Sequence, residues 1–137
     1  MIKSISTNHP LKSLNTFGIS ATSKLFYEFK DIKSLKEILS NDIIKNEQVF
    51  ILGGGSNILI TKNFDGIILK NSITGIKIIS EKKNHVIIEV GSGVNWHEFV
   101  LWSVKQNLSG IENLALIRGL VGASPMQNIG AYGVEVK

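Results

Sequence analysis

Apolar residues recur at helical spacing in two stretches of the chain. Each stretch follows a polar residue that is favoured as a helix N-cap, Asp31 in the first and Asn95 in the second. The apolar positions of the first stretch are Ile32, Leu35, Ile38 and Leu39. Those of the second are Trp96, Phe99, Val100 and Val104. We therefore predict two helices, the second of which ends between residues 107 and 110.

Shorter apolar runs between turn residues predict five strands. They cover residues 25–29, 48–52, 66–70, 75–80 and 86–90. The run over 48–52 is predicted to be buried. Residues 1–24 are polar and are broken by Pro10 and Gly18, so mostly irregular structure is predicted there, with an N-terminal arm over about residues 1–14. The order of these elements indicates an α+β or α/β arrangement, and no linker divides it, so a single domain over residues 1–137 is predicted.

Composition excludes several classes of protein. The 137 residues include no cysteine, which excludes disulfides, thiolate metal ligands and cysteine nucleophiles. No apolar run reaches the roughly 20 residues of a membrane-spanning helix, and the N-terminus lacks the apolar segment of a secretory signal. We therefore expect a cytoplasmic protein without a membrane partner.

The charge pattern gives little support to nucleic-acid or metal binding. The net charge is +4, and the basic residues are scattered rather than interleaved with aromatic residues, as a groove for single-stranded nucleic acid would require. A solvated basic face is favoured, and no nucleic-acid partner is expected. His9, His85 and His97 lack the mutual spacing of a metal site, so no metal is expected.

A glycine-rich run follows the predicted strand over residues 48–52. Its residues are Gly53, Gly54, Gly55, Ser56 and Asn57. Glycine lets backbone N–H groups converge on an anion because it reaches positive φ and carries no side chain. The run matches neither a P-loop nor the G-x-G-x-x-G fingerprint. On the residues alone, phosphate binding and a hairpin turn both remain open.

A second glycine-rich stretch covers residues 119–133. Its small residues would let a planar ligand lie against the main chain, and Ser124, Gln127 and Asn128 offer polar groups. The alternative is a tightly packed turn without a ligand. Two such stretches on separate elements favour one elongated cofactor that carries phosphate.

Five short motifs stand in order along the chain. They are Asn15-Thr16-Phe17-Gly18, Leu52 to Asn57, Gly91 to Trp96, Gly110 to Ala115 and Gly122 to Gly133. In this order they resemble the N-terminal, FAD-binding portion of the UDP-N-acetylenolpyruvoylglucosamine reductase (MurB) family. The resemblance covers roughly residues 12–137.

The resemblance implies an FAD-binding fold of the vanillyl-alcohol oxidase (PCMH) type and an oxidoreductase of peptidoglycan precursor synthesis. In that family NADPH reduces bound FAD, and hydride then passes to the enolpyruvyl group of a UDP-sugar to give UDP-N-acetylmuramate. A monomer is expected. The implied FAD-binding residues are Gly53, Gly54, Gly55, Ser56 and Asn57 at the diphosphate, and Ile117, Gly122, Ala123, Ser124, Asn128, Ile129 and Gly130 along the flavin.

The chain departs from the family pattern in two respects. Family members are more than twice as long, and their catalytic arginine, serine and glutamate are expected beyond Lys137, so we expect a truncated domain that holds no catalytic residue and is inactive alone. Arg118 stands where the family commonly has proline. A catalytically inactive module that binds nucleotide or another protein is the alternative function.

Overall fold

The computed structural model describes residues 5–136. The chain divides into two units, Met1–Ile73 and Thr74–Lys137, and each unit has its own apolar core. The predicted single domain and N-terminal arm begin on residues 1–4, which lie outside the described residues, as does residue 137. The single domain stays a prediction. The mixture of helices and strands in the described residues confirms the α+β class.

Over residues 5–73 the structure describes one four-stranded sheet, one α-helix and two short 3-10 helices, Lys12–Leu14 and Asp42–Ile44. The strands are β1 (Ser6–Pro10), β2 (Thr22–Phe29), β3 (Val49–Leu52) and β4 (Phe64–Asn71), and the helix is α1 (Ile32–Leu39). The strand order is β1-β2-β4-β3. Strand β1 is antiparallel to β2, whereas β2, β4 and β3 are mutually parallel. The chain therefore places β4 between two strands that precede it in sequence.

Alternate residues of β2 and β4 face opposite sides of this sheet and so build two apolar clusters. One cluster comprises Tyr27, Phe29, Ile38, Ile44, Ile67 and Leu69. The other comprises Leu11, Ala21, Phe26, Leu52 and Ile68, with Leu14, Ile58, Ile60 and Phe64 packed against it. The second cluster includes Leu52, which precedes the first glycine-rich run, and Ile58, which follows it, packs against this cluster.

Helix α1 begins where its N-cap residue was predicted. The Asp31 carboxylate accepts a hydrogen bond from the Ser34 backbone N–H at 2.7 Å, and the Ser34 hydroxyl lies 3.4 Å from the Asp31 backbone N–H, which completes a capping box. Of the four apolar positions, Ile38 is buried, Leu35 is partly buried, and Ile32 and Leu39 are more than half exposed.

This cap makes the start of α1 sensitive to acid. The backbone N–H of Ser34 holds the pKa of Asp31 below its ordinary value of 3.8. Because the folded-state pKa is lowered, the stabilisation is complete above pH 3.8 and is lost as the pH falls through the folded-state value. We expect the Asp31 carboxyl and Ser34 amide NMR signals to titrate together with a midpoint below 3.8. The Asp31→Asn variant, which keeps an acceptor but no titrating group, should keep its Ser34 amide signal fixed; a Ser34 amide that still titrates there would contradict this account.

Over residues 74–136 the structure describes two hairpins, two α-helices and two short 3-10 helices, Glu112–Leu114 and Val121–Ala123. The strands and α-helices are β5 (Ile76–Lys82), β6 (His85–Val90), α2 (Trp96–Lys105), α3 (Ser124–Gln127), β7 (Gly130–Ala131) and β8 (Val134–Glu135). Strands β5 and β6 pair antiparallel, as do β7 and β8. The core consists of Trp96, Val100, Leu114 and Ile129, and the Trp96 indole N–H donates to the Leu114 carbonyl at 2.9 Å.

Helix α2 confirms its predicted N-cap and ends slightly early. The Asn95 side-chain oxygen accepts from the Glu98 backbone N–H at 3.1 Å. The last helical residue is Lys105 rather than a residue between 107 and 110. Asn107 has a φ of +57°, a left-handed conformation in which an α-helix cannot continue.

Two predictions about the first unit are wrong. Residues 1–24 were predicted to be mostly irregular, but they contain β1 and the first residues of β2. Strand β1 is polar because it is an edge strand paired only with β2, and Pro10 at its end is tolerated there. The run over residues 48–52 was predicted to be buried, but Val49, Phe50 and Ile51 are exposed because β3 is the opposite edge of the sheet.

No helix in residues 5–136 is long and apolar enough to cross a membrane.

Candidate cofactor-binding site

The first glycine-rich run is not a hairpin turn. It connects β3 to β4, and these strands are parallel, with Leu52 opposite Lys70. A hairpin joins antiparallel strands, so the topology excludes that interpretation. The run Gly53–Asn57, hereafter the glycine loop, leaves the sheet at the carboxyl end of β3. In open sheets with parallel strands, ligands bind beyond these carboxyl ends.

Gly55 occupies a sterically restricted position in the glycine loop. It is buried and has a φ of +68°, in the left-handed region. A Cβ atom at this position would stand 1.9 Å from the Leu14 carbonyl oxygen and 3.1 Å from the Asn15 Cα atom. Both are backbone atoms, which cannot swing aside as a long side chain does. The loop conformation therefore requires glycine at position 55.

Two carbonyl groups of the glycine loop are held by donors in the first unit. The Gly53 carbonyl accepts from the Lys70 ammonium at 2.5 Å. The Gly55 carbonyl accepts from the Thr16 backbone N–H at 3.0 Å, and the Thr16 hydroxyl lies 3.4 Å away. In a trans peptide the N–H points opposite to the carbonyl, so the N–H groups of Gly54 and Ser56 face away from these donors.

Those two N–H groups are available to an anion. Within residues 5–136, neither the Gly54 N–H nor the Ser56 N–H donates to a protein acceptor. A positive φ at Gly55 between them is one of the alternating backbone conformations that build an anion-binding nest. The glycine loop thus meets the geometric requirement for holding a phosphate group.

The Lys70 ammonium adds positive charge beside the glycine loop. Burial lowers the pKa of Lys70 from its ordinary value, and the Glu28 carboxylate opposes this shift. Glu28 is the register partner of Lys70 on β2 and itself accepts a hydrogen bond from the Ser72 hydroxyl at 2.6 Å. At any pH below its lowered pKa, Lys70 is a cationic donor next to the loop.

The segment around Asn15 and Thr16 contacts the glycine loop, and it was assigned no function from the sequence. Asn15 is buried and ties its own segment together by donating to the carbonyls of Leu11 and Ile19 and accepting from the Ile19 N–H. Thr16 then presents its donors to Gly55. The sequence signal was the motif Asn15 to Gly18, which carried part of the family resemblance but had no assigned role.

The second glycine-rich stretch lies in the second unit and packs against residues 92–94 of that unit. The N–H of Gly122 donates to the Ser92 carbonyl at 3.0 Å, and that of Val121 donates to the Val94 carbonyl at 2.9 Å. A Cβ on Gly122 would stand 2.6 Å from the Ser92 Cβ. Close packing against Ser92 therefore accounts for the glycine at position 122.

Two polar residues of this stretch lie at the two ends of the short helix α3. The Ser124 hydroxyl is buried and donates to the Val121 carbonyl at 2.7 Å. Asn128 ends α3 with a φ of +45° and is exposed. Its side chain is accessible to a ligand, whereas the Ser124 hydroxyl proton already has an acceptor.

The remaining predicted residues of the second unit divide between core and surface. Ile129 is buried in the core around Trp96, and Ile117 packs against it. Their side chains serve packing, and the backbone of Ile129 is also paired within the protein: its N–H donates to the Ser124 carbonyl at 3.1 Å, and its carbonyl accepts from the Val136 N–H at 2.9 Å. Ala123 is partly buried, and Gly130 is exposed in β7. The predicted residues thus fall into one loop of the first unit and one turn of the second.

The histidines of the chain do not form a metal centre. Within residues 5–136 no group of three or more histidine, aspartate or glutamate side chains could hold a metal ion. His97 has a structural contact instead, since its Nδ1 atom accepts a hydrogen bond from the Leu116 backbone N–H at 3.1 Å.

Comparison with known proteins identifies the family. Residues 24–137 match the family described as FAD binding domain, which is more than half of the chain. The chain belongs to the FAD-binding domain family. The predicted FAD-binding fold is thereby confirmed, and the residues of the glycine loop fit the diphosphate of such a cofactor because they combine unpaired N–H groups with a nearby cation.

Relatives with a reductase name cover almost all of the chain. It is 50% identical over 128 residues to the UDP-N-acetylenolpyruvoylglucosamine reductase of Amoebophilus asiaticus, covering 93% of this chain and 38% of that protein. It is 47% identical over 133 residues to the protein of the same name from Flavobacterium johnsoniae, covering 97% of this chain and 39% of that protein. The resemblance to this reductase family is confirmed, and the chain spans about two-fifths of the length of these relatives.

A solved structure agrees with the fold. The crystal structure of UDP-N-acetylenolpyruvylglucosamine reductase (MurB) from Thermus caldophilus superposes with a TM-score of 0.70 at 21% identity, covering 96% of this chain and 45% of that chain. At this identity the likeness supports the fold.

Proposed function

We propose that the chain binds FAD and that the glycine loop holds the cofactor diphosphate. The observation that carries this proposal is the pair of N–H groups of Gly54 and Ser56, which face away from the Lys70 and Thr16 donors and have no protein acceptor in residues 5–136. Backbone N–H groups arranged in this way suit the oxygens of a phosphate. Asn57, exposed at the end of the loop, adds a side-chain donor.

The turn of the second unit is proposed to lie along the flavin. Gly122, Ala123, Ser124, Asn128 and Gly130 present small side chains or exposed polar groups, and Ile117 and Ile129, which pack in the core of this unit, complete the proposed set. Small residues allow a planar ring to approach the main chain closely. This assignment is supported by the family match over residues 24–137.

For the whole protein we propose the reductase activity of the relatives. The substrate would be the enolpyruvyl derivative of UDP-N-acetylglucosamine, the hydride donor NADPH and the product UDP-N-acetylmuramate. FAD, when bound, accepts and donates a hydride. The residues described here would bind and orient the cofactor. The reductase name of relatives at 50% and 47% identity supports this proposal. A cytoplasmic location and a monomeric state remain predictions.

The visible absorption spectrum tests FAD binding directly. The purified 137-residue chain is incubated with FAD, desalted and scanned. We expect a retained flavin band whose shape differs from that of free FAD. A folded chain that emerges colourless would contradict the proposal and would favour the inactive nucleotide-binding or interaction module.

A further inference from the structure

We propose that Lys70 is a positioning residue of the glycine loop: its ammonium holds the Gly53 carbonyl and so turns the Gly54 N–H toward the cofactor diphosphate. This inference rests on the proposed function, since it names the residue that keeps the proposed phosphate-binding loop in its binding conformation.

The register of the sheet places Lys70 at the loop. Lys70 is opposite Leu52 on β3 and opposite Glu28 on β2, at the carboxyl ends of three parallel strands. It follows Ile68 by two residues, so its side chain lies on the sheet face of Leu52 and Leu14. The glycine loop begins at the residue after Leu52. The ammonium therefore reaches the Gly53 carbonyl, at 2.5 Å, from within the sheet rather than from a mobile surface segment.

The bond to Gly53 controls the direction of the next N–H. The peptide between Gly53 and Gly54 is trans, so fixing its carbonyl on Lys70 fixes the Gly54 N–H on the opposite side. A glycine pair has wide backbone freedom, and without an acceptor–donor contact this peptide could rotate. Thr16 performs the corresponding task for the peptide between Gly55 and Ser56.

The positive charge of Lys70 has no close carboxylate partner in the described residues. Lys70 is half-buried, yet among the residues that the structure describes no carboxylate lies within 4.0 Å of its ammonium. The partial burial of an ammonium that has only a carbonyl as its close acceptor costs free energy. A diphosphate bound at the adjoining loop would offset that cost. The surroundings of Lys70 therefore suit an ammonium that interacts with a bound anion better than an ammonium that forms an ion pair within the protein.

The test compares three variants of the full 137-residue chain. Lys70→Met removes the donor and the charge at similar length, and Lys70→Arg retains both. Lys24→Met is the matched control, because Lys24 is a lysine of the same sheet whose ammonium contacts Glu47 at the surface. FAD affinity is measured by spectral titration. The Gly54 and Ser56 amide signals are followed by NMR in the chain without FAD. A general packing defect would not shift the Gly54 signal while leaving the Ser56 signal in place.

We expect Lys70→Met to weaken FAD binding about tenfold, because charge-assisted hydrogen bonds are the stronger class. Its Gly54 amide signal should shift while that of Ser56, held by Thr16, stays. Lys70→Arg should retain the wild-type FAD affinity and the wild-type Gly54 amide signal. Lys24→Met should change the FAD affinity by no more than about twofold.

Wild-type affinity together with an unmoved Gly54 amide in Lys70→Met would overturn the inference. If Lys70→Met does not fold, a folded Lys70→Arg that loses both FAD affinity and the Gly54 signal position would overturn it equally. A wild-type chain that binds no FAD would instead refute the proposed function, and the Gly54 amide of the variants would still decide whether Lys70 orients the loop.

Discussion

Replacing Gly55 with alanine should abolish the retention of FAD by the chain. The new Cβ would stand 1.9 Å from the Leu14 carbonyl oxygen, so the loop or the segment beneath it must move. A non-glycine residue with positive φ costs about 1–3 kcal/mol before that clash is counted. We expect the affinity for FAD to fall by at least about a hundredfold, measured by titration of the flavin band, with circular dichroism to establish that the variant is folded.

The Gly18→Ala variant separates the cost of a positive φ from the cost of the clash with Leu14. Gly18 lies in the same unit and has a φ of +64°, close to that of Gly55, but among the described residues no atom beyond its own chain neighbours lies within 4 Å of its Cβ position. This variant carries the conformational cost without the clash, and it should keep FAD bound with a modest loss of stability. Equal FAD affinity in both variants would show that the contact between Gly55 and Leu14 does not shape the loop.

Trp96→Ala should be the most damaging single truncation in the second unit. Trp96 is buried at the centre of the core with Val100, Leu114 and Ile129. Truncating a buried aromatic side chain to alanine costs about 3–5 kcal/mol. Trp96→Phe should cost less, about 1–3 kcal/mol, because it mainly leaves the Leu114 carbonyl without its indole donor. Urea unfolding followed by far-UV circular dichroism measures both free energies.

Trp102 provides the control on the same helix. It is only partly buried and stacks on Phe99 with ring centroids 6.3 Å apart. We expect Trp102→Ala to lower the free energy of unfolding by less than about 1.5 kcal/mol. A loss as large as that of Trp96→Ala would mean that indole size, and not the position of Trp96 in the core, determines the effect.

Local signals were sufficient to predict both longer helices. Asp31 and Asn95 cap α1 and α2 as predicted, because an N-cap interaction involves only residues three apart in sequence. The burial of Trp96 also followed from helical spacing. The end of α2 was less accessible to prediction, because the left-handed conformation of Asn107 is set by the turn that follows.

The order of strands in the sheet could not be predicted from the pattern of apolar residues. The wrong predictions of burial arose because the edge strands were not known. Val49, Phe50 and Ile51 are apolar enough for a central strand, yet β3 is an edge strand. Conversely, β1 is polar enough to resemble a loop. Whether a strand is central or at an edge depends on pairing between residues far apart in sequence, which composition does not encode.

The glycine loop shows the same division between local and non-local information. Its backbone freedom was evident from Gly53, Gly54 and Gly55, and so was its suitability for phosphate. Its supports were not evident, because Thr16 and Lys70 are distant in sequence and become neighbours only through the sheet and the segment before β2. Nothing about an isolated lysine in a predicted strand indicated that it reaches a loop carbonyl.

The position of β4 between β2 and β3 has a consequence for the order of folding. Strand β3 has no partner in the sheet until β4 is in place, and residues 53–63, which include the glycine loop, must run back along the sheet for the two strands to become parallel. Closing that connection costs chain entropy before any ladder hydrogen bond compensates for it. Because the glycine loop begins at the residue after β3, we expect local opening that releases β3 also to disturb the proposed phosphate site.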